Sequence, residues 1–115
     1  MNIQDLNQKE QEYVIKYLKI PDLLPVEENK LLLEVKRNNI DAKKKVLEAN
    51  IKLIWNVIEE IEVSDKYRFD MLWEAGNNGL FHAITNYSQE NNLPFKRFAL
   101  QMIKEYISKK ITALR

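Results

Sequence analysis

Residues 70–111 read DMLWEAGNNGLFHAITNYSQENNLPFKRFALQMIKEYISKKI, and the rest of the chain is arranged around this stretch. It holds both glycines of the protein, Gly76 and Gly79, and its only histidine, His82. Apolar residues recur at helical spacing before and after a polar loop at 88–93, so the stretch predicts two helices. A glycine inside a helix costs about 1 kcal/mol relative to alanine. Propensity alone would therefore break the first of these helices at the glycines.

Two further helices are predicted in the first third of the chain. Residues 1–20 carry apolar side chains at helical spacing, and Pro21 ends this helix because proline lacks the amide hydrogen and clashes with the preceding turn. Pro25 suits the first turn of a second helix, and two glutamates follow it where the helix dipole favours negative charge. We expect this second helix to run to about Arg37.

The middle of the chain predicts one long helix, and a proline marks the start of the last one. Asp41 is the expected N-cap of the third helix, whose broad apolar stripe reaches about Glu62. A capped turn at 63–66 leads to the fourth helix. Asn92 is the expected N-cap of the last helix, with Pro94 in its first turn.

The chain contains no strand pattern of any strength, so we predict an all-α fold, a compact helical bundle of four to five helices. Its 115 residues suffice for one globular unit, in which 1–24 form an N-terminal helix and connector and 25–115 the main domain. With 45% hydrophobic residues and 30% charged ones the chain resembles a folded helical protein. No apolar run approaches the roughly 18 residues of a membrane span, so we expect no membrane partner and a cytoplasmic location.

The residues that catalysis or metal binding would need are missing from the sequence. There is no cysteine, and His82 has no second histidine with which to form a metal pair or a triad. The sequence Gly-Asn-Asn-Gly at 76–79 lacks the Lys-Ser/Thr and the preceding strand of a phosphate-binding loop. We therefore predict no catalytic residues, no metal and no cofactor, and we expect His82 to lie at the surface or at its boundary.

Charge is distributed unevenly along the chain. The net charge is +1, but residues 96–115 contain six basic residues against one acidic residue, Glu105. An uneven distribution says more about partners than the total does. A solvated basic helix face is still the simpler interpretation, so charge alone does not indicate a nucleic-acid partner.

Four segments of the sequence, taken in order, resemble region 2 of the sigma-70 family of bacterial RNA polymerase sigma factors. Residues 42–54, AKKKVLEANIKLI, are similar to the family pattern AKEKLIEANLRLV, and 75–87, AGNNGLFHAITNY, to EGNIGLMKAVEKF. Residues 94–107, PFKRFALQMIKEYI, follow the family's aromatic last helix, and LPVEENKLLLEVKRNN at 24–39 the helix that often precedes region 2. The resemblance covers about 80 residues and implies the same helical fold.

In the sigma-70 family, the glycine-bearing helix docks on a coiled coil of the polymerase β′ subunit. The resemblance implies that this chain binds the RNA polymerase core in the same way, and that Gly76 and Gly79 let that partner approach closely. The implied polymerase-binding residues are Trp73, Glu74, Asn77, Leu80 and Phe81.

The last helix in the sigma-70 family recognises the promoter −10 element, so promoter DNA is the second implied partner. Phe98 lies where a family aromatic stacks on a flipped base, an interaction that is worth about 1–3 kcal/mol per base in single-strand binders. Glu105 and Ser108 lie where the family reads the upstream edge of the element, and basic residues would contact phosphates. The implied DNA-binding residues are Lys96, Arg97, Phe98, Gln101, Met102, Lys104, Glu105, Ser108 and Lys109.

The chain also departs from the family pattern, and the departures leave alternatives open. Gln101 and Met102 replace the paired tryptophans next to the melted junction, and no segment for reading the −35 element follows. We expect a longer factor or a separate −35-reading polypeptide to supply that function, and an anti-sigma factor is a further candidate partner. One alternative function is a co-sigma or regulatory interaction module that does not read promoters itself. A second is an unrelated helical bundle with a similar pattern.

Overall fold

A computed structural model describes residues 1–62, 67–88 and 92–114. All regular elements in these three ranges are helical, which confirms the predicted all-α fold. None of the described helices is long and apolar enough to cross a membrane. The predicted turn at 63–66 lies outside the described residues. The elements are a short 3₁₀ helix (Ile3–Asp5), α1 (Gln8–Leu18), α2 (Pro25–Val35), α3 (Ile40–Asn50), α4 (Lys52–Ile58), α5 (Phe69–Asn86) and α6 (Phe95–Ala113).

The N-terminal 20 residues form two helical pieces instead of the single predicted helix. The side chain of Asn7 accepts a hydrogen bond from the Glu10 backbone N–H (2.8 Å), and the Glu10 carboxylate accepts one from the Asn7 N–H (3.0 Å). This reciprocal capping box starts α1 at Gln8, and the 3₁₀ helix before it ends at Asp5, followed by Leu6 in an extended conformation. The second helix begins at Pro25 as predicted, and it ends at Val35, slightly before the predicted end.

The predicted N-cap of the third helix is wrong by two residues. The Oδ1 atom of Asn39 accepts a hydrogen bond from the Ala42 N–H (3.1 Å) and caps α3, whereas Asp41 lies in the first turn. The long helix that was predicted to reach Glu62 is two segments, α3 and α4, separated at Ile51. Ile51 itself has helical backbone angles, so the backbone stays helical where α3 ends and α4 begins.

The start of the last helix also differs from the prediction. Pro94 occupies the N-cap of α6, and Asn92 lies before it in the left-handed region (φ 53°). Asparagine tolerates this conformation better than most residues, so Asn92 supports a turn here and does not cap the helix.

The core lies where α4, α5 and α6 meet, and α5 and α6 form the most extensive helix pair. The completely buried side chains at this junction include Ile54, Ile58, Leu72, Leu80 and Ile103. The α3 helix packs on α2 and α5, and α1 packs on α4. This arrangement leaves one side of α5 and one side of α6 facing solvent, and the predicted site residues are distributed over these two helices.

Candidate functional site

The α5 helix runs unbroken past its two glycines because neighbouring atoms occupy the space that side chains would need. A Cβ atom on Gly79 would lie 2.6 Å from the Met102 carbonyl oxygen and 2.9 Å from the Ile103 Cα, both backbone atoms of α6. A Cβ atom on Gly76 would lie 2.5 Å from Cγ2 of Ile54. Both glycines are buried, so the interpretation that they admit a partner protein is wrong. The element that approaches Gly79 is the last helix of the same chain.

Three of the five predicted polymerase-binding residues present side chains at the surface of α5. Glu74 is exposed, Asn77 is half-buried, and Phe81 keeps 48% of its surface exposed. The Asn77 amide donates a hydrogen bond to the Trp73 carbonyl oxygen one turn earlier (3.0 Å). The ammonium group of Lys43 lies 3.9 Å from the centre of the Phe81 ring, within the range of a cation–π interaction. Together Glu74, Asn77 and Phe81 form what we call the outer face of α5.

The other two predicted polymerase-binding residues lie inside the protein. Leu80 has no exposed surface, and Trp73 is 8% exposed. The Trp73 indole packs between Phe69 (ring centres 5.2 Å apart) and Tyr13 of α1 (5.5 Å). Its Nε1 is buried without a hydrogen-bond partner. Trp73 and Leu80 therefore pack in the core beneath α5 and are not part of its outer face.

Most of the predicted DNA-binding residues on α6 lie along one exposed side of the helix. Arg97, Gln101, Lys104, Glu105, Ser108 and Lys109 are all exposed, which places them on a common outward surface, the outer face of α6. Lys109 forms an i,i+4 ion pair with Glu105 (3.2 Å). An exposed pair of this kind is worth only a few tenths of a kcal/mol, so either side chain can exchange it for another partner at small cost.

Phe98 and Met102, two of the predicted DNA-binding residues, lie at the edge of the core. The Phe98 ring is half-buried and lies 5.8 Å from the ring of Tyr87, centre to centre. Met102 is also half-buried, and its carbonyl oxygen is the atom closest to Gly79. Only part of each side chain therefore faces solvent in this conformation.

Lys96 was predicted to contact DNA phosphate, and the structure places its half-buried side chain, which is 38% exposed, in a polar network at the edge of the protein. Its ammonium donates a hydrogen bond to Oδ1 of Asn50 (3.0 Å) and lies 3.7 Å from the Glu28 carboxylate and 3.9 Å from that of Asp22. Lys52 completes the network through an ion pair with Asp22 (2.9 Å). One hydrogen bond and two longer ion-pair contacts hold the Lys96 ammonium in this network, so a phosphate would compete with them for it.

The role of Glu28 and Asn50 in this network was not predicted from the sequence. Both are buried, Asn50 completely, and the Asn50 amide donates to Glu28 (3.2 Å) and to the Val46 carbonyl oxygen (2.8 Å). An asparagine within the apolar stripe of a helix was the available signal, because a buried amide needs hydrogen-bond partners. Its partners come from α2 and α6, however, and sequence spacing does not show that these helices meet there.

His82 joins α5 to α6 through one contact. It is half-buried, as predicted for a boundary residue, and its Nδ1 lies 3.1 Å from the Tyr106 hydroxyl. In the described part of the chain, no group of three or more histidine, aspartate or glutamate side chains is placed to hold a metal ion.

The arrangement is that of a small helical domain that presents one face of α5 and one face of α6 to solvent. No model of a known protein family matches the chain. Curated proteins do match: the chain is 32% identical over 85 residues to a protein of Bacillus thuringiensis subsp. kurstaki described as "Putative RNA polymerase sigma-G factor", covering 74% of this chain and 67% of that protein. The chain belongs to the RNA polymerase sigma-factor family, a family of transcription initiation factors. The alternative of an unrelated bundle is therefore wrong.

Two longer sigma factors of Clostridium acetobutylicum also match the chain. An RNA polymerase sigma-G factor is 29% identical over 85 residues, covering 74% of this chain and 33% of the relative. The RNA polymerase sigma factor SigA is 29% identical over 93 residues, covering 81% of this chain and 24% of the relative. The chain thus spans two thirds of its Bacillus relative and a third or less of the two Clostridium proteins.

Proposed function

We propose that this chain acts as a sigma region 2-like domain that docks on the β′ coiled coil of RNA polymerase and contributes contacts to promoter −10 DNA. The observation that carries the proposal is the separation of roles on the α5–α6 pair. Residues that match the family pattern, such as Gly76, Gly79 and Ala99, build the contact between the two helices. Nine of the fourteen side chains expected to meet partners lie on the outer faces of α5 and α6.

Polymerase docking is assigned to the outer face of α5. Phe81 is a large apolar residue with half of its surface exposed, and Asn77 and Glu74 place polar groups beside it on the same helix. An exposed aromatic with polar neighbours is the composition expected at the centre of a protein interface. Because Leu80 and Trp73 are buried, the docking surface is smaller than the sequence implied.

DNA binding is assigned to the outer face of α6. Arg97, Lys104 and Lys109 supply positive charge for phosphates, and Gln101, Glu105 and Ser108 supply hydrogen-bonding groups for base edges. Lys96 is left out of this surface because its ammonium is bound to Asn50 within the polar network. Phe98 could stack on a base only through the part of its ring that Tyr87 leaves uncovered.

Binding to an isolated β′ coiled-coil fragment tests the docking assignment. Asn77→Ala combined with Phe81→Ala should weaken binding at least about tenfold, as the loss of central interface residues does. Leu33→Ala is a matched control because Leu33 is 50% exposed on α2, away from the outer face of α5. If the parent protein does not bind the fragment, the docking proposal is refuted.

A second candidate function is that of a co-sigma or regulatory module that binds polymerase without reading promoters. The hydrogen bond from Lys96 to Asn50 and the partial burial of Phe98 favour it, because both contacts make these two residues less available to bind DNA. A −10-like single strand and a scrambled strand of equal length separate the two candidates. Promoter reading predicts tighter binding of the first, and Phe98→Ala should remove that preference; equal affinity for both strands would favour the regulatory module.

A further inference from the structure

One open cavity lined by described residues lies outside the two outer faces. It measures about 630 Å³ and opens between the α2–α3 turn and the C-terminal end of α5. Its walls combine apolar, basic and neutral polar side chains. The lining residues are Val35, Lys36, Asn38, Asn39, Ile40, Lys43 and Thr85.

The shape of this cavity is fixed by the turn that forms one of its walls. Asn38 adopts the left-handed conformation (φ 64°), which reverses the chain immediately after α2. Asn39 then caps α3 through its side chain, so its Oδ1 already has a donor in the Ala42 N–H. The turn is therefore fixed by the Asn38 backbone at the end of α2 and by the Asn39 cap at the start of α3, and this wall of the cavity is well defined.

The lining carries positive charge and apolar surface together. Lys36 and Lys43 contribute two ammonium groups, and none of the lining residues is acidic. Ile40 keeps 79% of its surface exposed at the rim, beside the half-buried Val35. A complementary ligand would offer carboxylates to the two lysines and an apolar side chain to Ile40 and Val35.

Lys43 connects the cavity to the outer face of α5. The same side chain lines the cavity and lies over the Phe81 ring at 3.9 Å, so the two surfaces are continuous. A partner that covers Phe81 could therefore contact the cavity as part of the same continuous interface.

We propose that the cavity receives an apolar side chain from an acidic segment of the RNA polymerase core, next to the docking contact on α5. The proposal rests on the proposed function, since the segment belongs to the same partner. A protein segment fits better than nucleic acid because phosphates could satisfy Lys36 and Lys43 but would leave Ile40 and Val35 against water. The apolar contact supplies affinity, and the charges supply orientation and a fast encounter.

The binding of this chain to intact polymerase core from its own host tests the proposal. Lys36→Glu should weaken binding about fivefold to tenfold at low salt, and the difference should shrink at high salt as the charges are screened. Lys30→Glu is the matched control, since Lys30 is an exposed lysine of the same helix that does not line the cavity. It should bind as the parent does.

A second pair of variants tests the apolar contact. Ile40→Ser should weaken core binding about fivefold at any salt concentration, because an apolar contact is not screened. Val26→Ser is its control, because Val26 is 83% exposed on α2 and does not line the cavity. Because Ile40 is mostly exposed, its replacement should leave the unfolding midpoint in urea almost unchanged, and this is checked for each variant.

The outcomes distinguish a failure of this inference from a failure of the proposed function. If the parent protein does not bind the core, both are refuted. If the parent binds, Asn77→Ala with Phe81→Ala weakens binding, and Lys36→Glu and Ile40→Ser bind as the parent does, only the cavity proposal is refuted. If Lys36→Glu lowers the affinity for single-stranded DNA and leaves core binding unchanged, the cavity serves nucleic acid and the proposal is again refuted.

Discussion

The side of α5 that faces α6 and the side that faces solvent differ in what their residues do. On the inner side, Gly79 lets the α6 backbone approach so closely that a single added carbon would overlap it. On the outer side, Phe81 keeps 48% of its surface exposed, and the Lys43 ammonium lies over its ring. Amino-acid substitutions on the inner side would displace a helix, whereas substitutions on the outer side should have little effect on the stability of the fold.

This difference determines what the resemblance to sigma factors can show. On α5 and α6, nearly all of the residues identical to the family pattern are buried, including Gly76, Leu80 and Ala83 on α5 and Ala99 and Ile107 on α6. Because these positions are buried, the match between the two sequences is evidence about how the helices pack and not about what they bind. Asn77 is the matching residue on α5 that reaches the surface, so the partners have to be established from the outer faces by experiment.

The largest expected effect is on the inner side. Gly79→Ala should destabilise the fold by roughly 2–3 kcal/mol, because the new methyl group meets backbone atoms that no rotamer change can move. Gly76→Ala should cost less, since the closest atom to its Cβ is the Ile54 side chain. Urea unfolding followed by circular dichroism measures both changes.

Asn78→Ala is the control for this pair, because it makes a substitution on the exposed side of the same helix turn. Alanine has a higher helix propensity than asparagine, so stability should stay equal or rise by about 0.5 kcal/mol. A Gly79→Ala protein as stable as the parent would show that α5 and α6 are not in backbone contact, and the comparison between the two sides would collapse.

An intermediate effect is expected in the polar network, where α6 meets α2 and α3. Lys96→Met should destabilise the fold by about 1 kcal/mol, because it removes the ammonium beside the buried Glu28 carboxylate and leaves the hydrogen bond from the Asn50 amide. Lys104→Met, an exposed lysine on the same helix, should change stability by less than about 0.5 kcal/mol. Equal effects in urea unfolding would mean that Lys96 does not stabilise the Glu28 carboxylate.

A smaller change in stability is expected on the outer side of α5. Phe81→Ala should alter the free energy of unfolding by less than about 1 kcal/mol, because half of the ring is exposed and its cation–π contact with Lys43 is at the surface. Thermal unfolding is the measurement, and binding to the β′ fragment is measured on the same sample. A large loss of stability would place Phe81 in the core and remove it from the docking surface.

The smallest effect concerns acid sensitivity at the edge of the polar network. The hydrogen bond from Lys52 lowers the pKa of Asp22 below its ordinary value of 3.8. A lowered pKa in the folded state means that the ion pair contributes stability above about pH 4 and loses it as the pH falls through the lowered value. Asp22→Asn should therefore flatten the fall in stability below pH 4, measured by urea unfolding as a function of pH. Parallel pH profiles for the two proteins would contradict this assignment.

Helix type and order were predictable from the sequence, but several helix ends were not. The periodicity of apolar residues and the prolines placed α2, α5 and α6 correctly to within a few residues. The capping asparagines Asn7 and Asn39 were missed because several polar residues near each helix start could serve as caps. The separation of α3 from α4 at Ile51 has no local signal, since isoleucine does not break a helix and tertiary packing decides the point.

Part of the candidate site was predictable, because exposure follows helical periodicity. The exposed residues of α6, such as Lys104 and Ser108, lie on the face that their spacing indicates. The internal partners of Lys96 depend on contacts between residues far apart in sequence, and so does the burial of Trp73 under Tyr13 of α1. Spacing within one helix cannot show which of its side chains another helix will cover.

The backbone contact at Gly79 also has a mechanical consequence. Two helices whose main chains are in contact have little room to slide or tilt relative to each other. We therefore expect α5 and α6 to move together as one rigid unit. A partner that tilts α5 would then turn α6 through nearly the same angle. Attachment at one surface would thereby set the orientation of the other, with no moving joint between them.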